Sequence, residues 1–339
     1  MKRYPQLFLF FLLAGWLVAC GTAADEQATP TEEPSVTAVS MPATALPPTE
    51  TPMTQSHSDF RVLAYVTGGI VPEVIPYERL THINYAFLIP NADGTFAPLT
   101  NGWKLKKIVA DAHAAGVQVL ISVGGWGWDE QFETMAADAA SRAAFVQNLA
   151  DFVAEYNLDG ADIDWEYPDP GPSAQNFVAL IGELRDAMPD KLLTTAVVTY
   201  GPTAEGVLSE TFPHFDFINV MAYDGPEHGT MQQFNDALDY WLGRGLPPEK
   251  IVMGLPFYSR PGEAPYRKIV EADPQAAYQD TIEWNGATNT YNGIHTIQTK
   301  TKIAQERAGG VMFWTLDHDA LGDLSLLKAI HEQTMNNQQ

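Results

Sequence analysis

The sequence predicts a single (β/α)8 barrel, an α/β fold, over residues 59–339. Three observations predict it. Eight short, nearly continuous apolar runs recur along that span, as expected of parallel strands covered on both faces. Amphipathic stretches with helical spacing lie between them. No Gly-x-Gly-x-x-Gly follows the first run, which counts against a dinucleotide-binding open sheet. A doubly wound open sheet is the alternative architecture.

Residues 1–19 read as a leader. Lys2 and Arg3 give it a positive start, and the apolar run Leu7–Ala19 is too short for a comfortable membrane span. It ends in Leu17-Val18-Ala19-Cys20, which resembles a bacterial lipobox, and Cys20 is the only cysteine in the chain. The resemblance implies cleavage before Cys20, a lipid on its thiol, and an extracytoplasmic protein that is membrane-anchored or secreted. An ordinary signal peptide with an incidental cysteine is the plainer alternative. Residues 20–58, rich in Thr, Pro, Ala, Glu and Ser, read as an extended tether. One cysteine allows no internal disulfide, so the fold rests on its core.

The expected strands are Val62–Val66, Ile83–Phe87, Val117–Val123, Gly160–Asp164, Leu192–Val198, Phe217–Ala222, Ile251–Phe257 and Gly310–Trp314. Three helical faces are plain. Phe145, Leu149, Phe152, Val153 and Tyr156 form one, and Phe177, Leu180, Ile181, Leu184 and Met188 another. Phe234, Leu238, Trp241 and Leu242 form the third, with Gly243 and Gly245 placed to stop it. These aromatic stripes are read as core. The composition, 45% hydrophobic with 11% aromatic residues, supports one sizeable core. A net charge of −23 sets nucleic acid aside as a partner.

Asp159-Gly160-Ala161-Asp162-Ile163-Asp164-Trp165-Glu166 is the segment that carries chemistry. Side chains alternate along a strand, so Asp162, Asp164 and Glu166 share a face. In a barrel that face points inward, and Glu166 falls at the C-terminal rim, where barrel active sites lie. Three stacked carboxylates cannot all ionise cheaply, so some pKa values must rise. A solvated acidic loop is the bland alternative, which Ala161 and Ile163 between the acids argue against. A divalent-metal site built from carboxylates is another, with no further ligand cluster to complete it. No cofactor or metal is expected.

Here the chain resembles glycoside hydrolase family 18, the chitinases and their relatives. Asp159–Glu166 fills every fixed place of the family's Asp-Gly-x-Asp-x-Asp-x-Glu motif, and Tyr167 and Pro168 continue its commonest form. Ser122-Val123-Gly124-Gly125-Trp126 is similar to the third-strand motif, Met221-Ala222-Tyr223-Asp224 to the sixth, and Gly254–Tyr258 to the seventh. Ser259 departs from the glycine usual before Arg260. Gly309–Trp314 is similar to the eighth.

The resemblance implies retaining, substrate-assisted hydrolysis of N-acetylglucosamine polymers such as chitin, in which the sugar's own acetamide oxygen attacks the anomeric carbon. It implies Glu166 as general acid and then base, with its pKa raised by neighbouring charge. Asp164 would bind the acetamide N–H, Asp162 would share a proton with Asp164, and Tyr223 would donate to the acetamide carbonyl. Asp224, with Tyr258 and Arg260, would help hold sugar. Ser122 and Tyr65 would support the acids. Trp314 would floor the site, lined by Phe87 and Met221, with Trp126 and Trp128 as a platform on the leaving side; core packing is the alternative for Trp128. Alternatives within this resemblance are an endo-β-N-acetylglucosaminidase acting on glycoprotein glycans, a peptidoglycan-directed hydrolase, and a chitin-binding lectin-like protein. The stretch Pro261–His295 is short for the α+β insertion many relatives carry after the seventh strand, so little or none of that insertion, and an open groove, are expected. A monomer is the expected state.

Overall fold

The computed structural model of the chain describes residues 60–336. The leader, Cys20 and the tether lie outside the described residues. Eight strands close a parallel barrel: β1 (Arg61–Thr67), β2 (His82–Leu88), β3 (Gln118–Gly124), β4 (Gly160–Asp164), β5 (Leu192–Val198), β6 (Phe217–Met221), β7 (Ile251–Pro256) and, after a two-stranded hairpin of β8 (Thr281–Trp284) and β9 (Ala287–Thr290), β10 (Gly310–Trp314). Around the ring the order is β1-β10-β7-β6-β5-β4-β3-β2. All eight apolar runs are therefore barrel strands, and the open-sheet alternative is set aside.

The helices are α1 (Gly102–Ala114), α2 (Asp129–Ala137), α3 (Ala139–Glu155), α4 (Pro172–Ala187), α5 (Met231–Gly243), α6 (Tyr266–Ala272), α7 (Ile294–Arg307) and α8 (Leu326–Asn336). Local chemistry fixes their ends. The Asp138 carboxylate accepts from the Ser141 N–H at 2.8 Å and caps α3; the Thr230 hydroxyl accepts from the Gln233 N–H at 3.1 Å and caps α5. Gly243 is the last residue of α5, and the stop is made by Gly245, whose φ of 86° continues the chain in a left-handed turn. Of the α3 stripe, Phe145, Leu149 and Val153 are buried, while Phe152 and Tyr156 are half-buried and stack on each other.

Strict alternation of strand and α-helix fails twice. After β1 and after β5 the chain returns through short 3-10 turns, Pro72–Val74 and Tyr77–Arg79 in one case, Pro202–Gly206 and Ser209–His214 in the other. Pro72, Pro76, Pro202 and Pro213 fall in these connections and cannot donate within a continuing helix.

The excursion after β7 is small, as expected: α6, one 3-10 turn and the β8–β9 hairpin. Main-chain bonds tie it to the exit of β7, Arg260 N–H to Thr290 O at 3.0 Å and Thr290 N–H to Arg260 O at 2.8 Å. Ser259, where the family pattern has glycine, is fully buried and donates to Asn289 Oδ1 at 3.1 Å, so its hydroxyl clips the hairpin to the same spot. No helix of the described residues is long and apolar enough to cross a membrane.

Two apolar clusters divide the interior. The larger lies between strands and helices; the smaller fills the barrel with residues including Leu63, Phe217, Val252 and Met312. Gly160 begins β4 on the inward face, and a Cβ built there would overlap the Leu192 carbonyl of β5. Gly160→Ala should therefore lower stability by about 1–3 kcal/mol, the usual cost of overpacking, read from the urea midpoint. An unchanged midpoint would mean that β4 and β5 separate freely.

Candidate active site

The alternation of β4 sends Asp162 and Asp164 inward and Ala161 and Ile163 outward, and Glu166 follows two residues beyond its end. Trp165 keeps to the outward side. It is buried, stacked on Phe132 at 5.2 Å, and donates Nε1–H to Asp129 at 2.8 Å.

Asp162 sits in the barrel's interior and accepts four hydrogen bonds. Oδ2 accepts from the Tyr65 hydroxyl at 2.8 Å and the Ser122 hydroxyl at 2.9 Å. Oδ1 accepts from the Thr194 hydroxyl at 2.6 Å and from Asn219 Nδ2 at 3.1 Å. Burial raises its pKa while these four bonds pull it back toward ionisation. A proton shared with Asp164 was expected. Instead both Asp162 oxygens are taken up by other donors, and no hydrogen bond joins the two acids. Asp162 acts on Asp164 through its charge. Thr194 and Asn219 were missed; their signal was a polar residue in the inward register of a strand whose other inward residues are apolar.

Asp164 is 3% exposed, and its Oδ1 is buried without a hydrogen-bond partner among the described residues. Burial first, then the charges of Glu166 and Asp162, push its carboxyl well above the usual range. Glu166 lines the mouth. Its pKa is raised by burial and by the Asp224 charge, against a lowering hydrogen bond from the Tyr167 side chain. The expectation named neighbouring charge as the cause; burial comes first.

Glu166 and Asp164 open into a cavity of about 780 Å³. Tyr65, Phe87, Trp126, Trp128, Met221, Tyr223, Asp224, Tyr258, Arg260 and Trp314 also line it, from strands all around the ring. Ser122 and Asp162 lie beneath, outside the lining. Trp314 stacks on Phe87 at 5.5 Å and tilts against Tyr65 at 5.7 Å. Phe87 reaches the cavity because the β2–β3 register shifts between Ala86 and Leu88. Trp126 is 78% exposed, so it is no core residue. Non-proline cis peptides occur at Ala86–Phe87, Glu166–Tyr167 and Trp314–Thr315. The paired glycines Gly124 and Gly125 have φ of 108° and 86°; side chains there would meet the Asp164 carbonyl and the Phe87 ring.

Tyr223 is buried, and burial keeps its hydroxyl protonated far above the usual range. Asp224 has φ 66° and accepts on Oδ1 from the Tyr258 hydroxyl and from Arg260 Nε, both at 2.7 Å. Burial pushes its carboxyl up, but the bonds from Arg260 and Tyr258 and the Arg260 charge hold it well below the usual carboxylate range. Asp159, first in the motif, lies at the other end of β4, accepting from the Val119 N–H at 2.7 Å and facing His113 Nε2 at 2.8 Å. A second cavity of about 610 Å³, between the β1–β2 connection and the segment after β10, shares His318 with the first. Among the described residues, no group of three or more His, Cys, Asp or Glu side chains is placed to hold a metal ion.

The sequence model of glycosyl hydrolases family 18 matches residues 56–319. The chain belongs to that family. Among family 18 relatives, a probable endochitinase of Caenorhabditis elegans is 31% identical over 74% of this chain and 53% of its own length. Chitinase 1 of Aphanocladium album is 26% identical over 77% of this chain and 81% of its own. The chain thus spans about half of the nematode relative and most of the fungal one. Among solved structures, a chitinase from Bacteroides thetaiotaomicron superposes with a TM-score of 0.75 at 28% identity, over 82% of this chain and 98% of that one. A family 18 chitinase from the chitin utilization locus of Flavobacterium johnsoniae gives 0.71 at 28% identity, over 82% and 95%.

An acid that must be protonated to work loses activity as pH rises through its pKa. The basic limb of kcat/KM should therefore lie above the ordinary carboxylate range. Tyr167→Phe removes a bond that lowers the Glu166 pKa, so this limb should move to higher pH. A limb that stays or moves down in a pH–rate series would separate Glu166 from it.

Proposed function

We propose that this chain hydrolyses β-1,4 linkages in N-acetylglucosamine polymers of the chitin type, retaining configuration, with the substrate's acetamide as nucleophile. One observation carries the reading: the partnerless Oδ1 of Asp164, buried between Asp162 and Glu166 at the cavity floor. A buried acceptor left without a donor is costly. An acetamide N–H from a sugar seated on Trp314 would supply that donor.

Glu166 gives its proton to the glycosidic oxygen as the bond from that oxygen to C1 breaks. The acetamide oxygen forms a bond to C1 from the other side. Asp164 favours the positive charge that develops on the acetamide, and Tyr223 donates to the acetamide oxygen and orients it. Water then attacks C1, giving its proton to Glu166 and releasing the acetamide. Phe87 and Trp314 offer the flat apolar surface a pyranose face requires. The second cavity, which shares the His318 wall with the first, favours an extended chain over a single sugar. The short excursion after β7 leaves the groove open at that side, which favours internal cuts.

We infer further that Cys20 carries a lipid holding the barrel at an extracytoplasmic membrane surface, on the strength of the lipobox and the tether. The protein acts there as a monomer.

Glu166→Gln should keep the fold and lose at least about a hundredfold in turnover on N-acetylglucosamine tetramer. Glucose tetramer, which lacks the acetamide, should not be cut by the unmodified chain. Hydrolysis of the glucose tetramer would refute substrate assistance. Faster turnover of a chitobiosylated asparagine glycan or of cell wall would move the activity to those substrates. Separately, Cys20→Ser should release the protein from membranes of a bacterial host; a membrane fraction that persists would remove the anchor.

A further inference from the structure

His228 belongs to none of the motifs that marked the site, yet it is buried at 1% exposure between the exits of β6 and β7. Its Nδ1 accepts from the backbone N–H of Asp224 at 3.0 Å, and its Nε2 faces the carbonyl oxygen of Tyr258 at 3.1 Å. An amide N–H can only donate and a carbonyl can only accept. These two partners therefore select one neutral tautomer, with Nδ1 bare and the proton on Nε2. The ring also lies against the Tyr258 ring at 4.9 Å. Nδ1 is 3.6 Å from Asp224 Oδ1, but its lone pair is already taken by the amide, so this approach is not an ion pair.

We propose that His228 is a positioning residue that aims the Asp224 carboxylate at the sugar. Asp224 holds a left-handed φ of 66°, a conformation that a residue other than glycine keeps only when its surroundings dictate it. Here they do so on both sides of the residue. His228 takes the Asp224 N–H, and Gln233 Nε2 donates to the Asp224 carbonyl at 2.6 Å. The same imidazole takes hold of the main chain of Tyr258, whose hydroxyl fixes Asp224 Oδ1. One ring thus places both partners of that 2.7 Å bond. Arg260 Nε occupies Oδ1 as well, and no donor among the described residues reaches Oδ2, which leaves that oxygen for a ligand hydroxyl or N–H.

The histidine is itself anchored. The carbonyl of the next residue, Gly229, accepts from Asn292 Nδ2 at 2.6 Å and from the buried Lys300 of α7 at 2.8 Å. Lys300 also donates to Asn292 Oδ1 at 2.8 Å. The loop that carries His228 is thereby tied to the outer layer of the barrel.

The inference rests on the reading of Asp224 as a sugar-holding residue, and the experiment separates the two. Steady-state kinetics on N-acetylglucosamine tetramer would be measured for His228→Gln, His228→Asn, Asp224→Asn and the double variant His228→Gln/Asp224→Asn. Thermal melts would accompany them. Gln can keep a donor where Nε2 lies but loses the acceptor; Asn keeps the acceptor and loses the donor. We expect His228→Gln to raise KM about tenfold while kcat falls less than about threefold, the pattern of lost binding rather than lost chemistry. His228→Asn should retain more kcat/KM than His228→Gln. The double variant should be no worse than Asp224→Asn alone, because His228 acts through Asp224. Effects that multiply in the double variant, or equal losses in the two His228 variants, would make His228 a packing residue and overturn the inference. Unchanged kinetics in the His228 variants beside an impaired Asp224→Asn would also overturn it, leaving the role of Asp224 intact. Unchanged kinetics in Asp224→Asn would overturn the sugar-holding reading and the inference with it.

Discussion

The site depends on one buried anion and the four donors that surround it. Asp162 stands in the middle of the barrel, where an isolated carboxylate would take up a proton rather than stay charged. Tyr65 from β1, Ser122 from β3, Thr194 from β5 and Asn219 from β6 all donate to it. Each bond to a charged group contributes about 1.5–3 kcal/mol, so together they compete with the cost of burial. They also tie four strands of the ring to one point. The charge held there is what Asp164 feels from below.

Above Asp162 the acids are less fully satisfied. Asp162 has a donor for every direction it can accept from. Asp164 has an empty Oδ1, and burial with the charges of Glu166 and Asp162 pushes its carboxyl well above the usual range. Glu166, nearer solvent, has Tyr167 as its hydrogen-bonding neighbour. Burial and neighbouring charge thus push both upper carboxyls upward. Asp224, held ionised by Arg260 and Tyr258 across the cavity, adds a fixed negative charge on the opposite wall.

The barrel was legible because strands buried on both faces leave uninterrupted apolar runs, and all eight could be read. The three acids were legible because period-two alternation is a property of the backbone itself. What could not be read was whatever depends on contacts between distant segments. The 3-10 returns after β1 and β5 look in the sequence like ordinary loops. Thr194 and Asn219 look like isolated polar residues until the ring closes and brings them to Asp162. The proton-sharing expected between Asp162 and Asp164 came with the family resemblance, which does not reveal which donors the other strands supply to Asp162. His228 was invisible for the same reason, since its meaning comes from Tyr258, which follows a different strand.

The hairpin after β7 joins the barrel at Arg260, the residue whose guanidinium steadies the Asp224 carboxylate beyond the end of β6. Such a peripheral segment is ordinarily where chains gain or lose length with little penalty. Here that freedom has a boundary. Replacing β8 and β9 by a larger module would preserve the charge across the cleft only if the new module reproduced the paired amide–carbonyl clasp of Arg260 with Thr290. The junction, rather than the body of the insert, is the part that a lineage or an engineer has to keep.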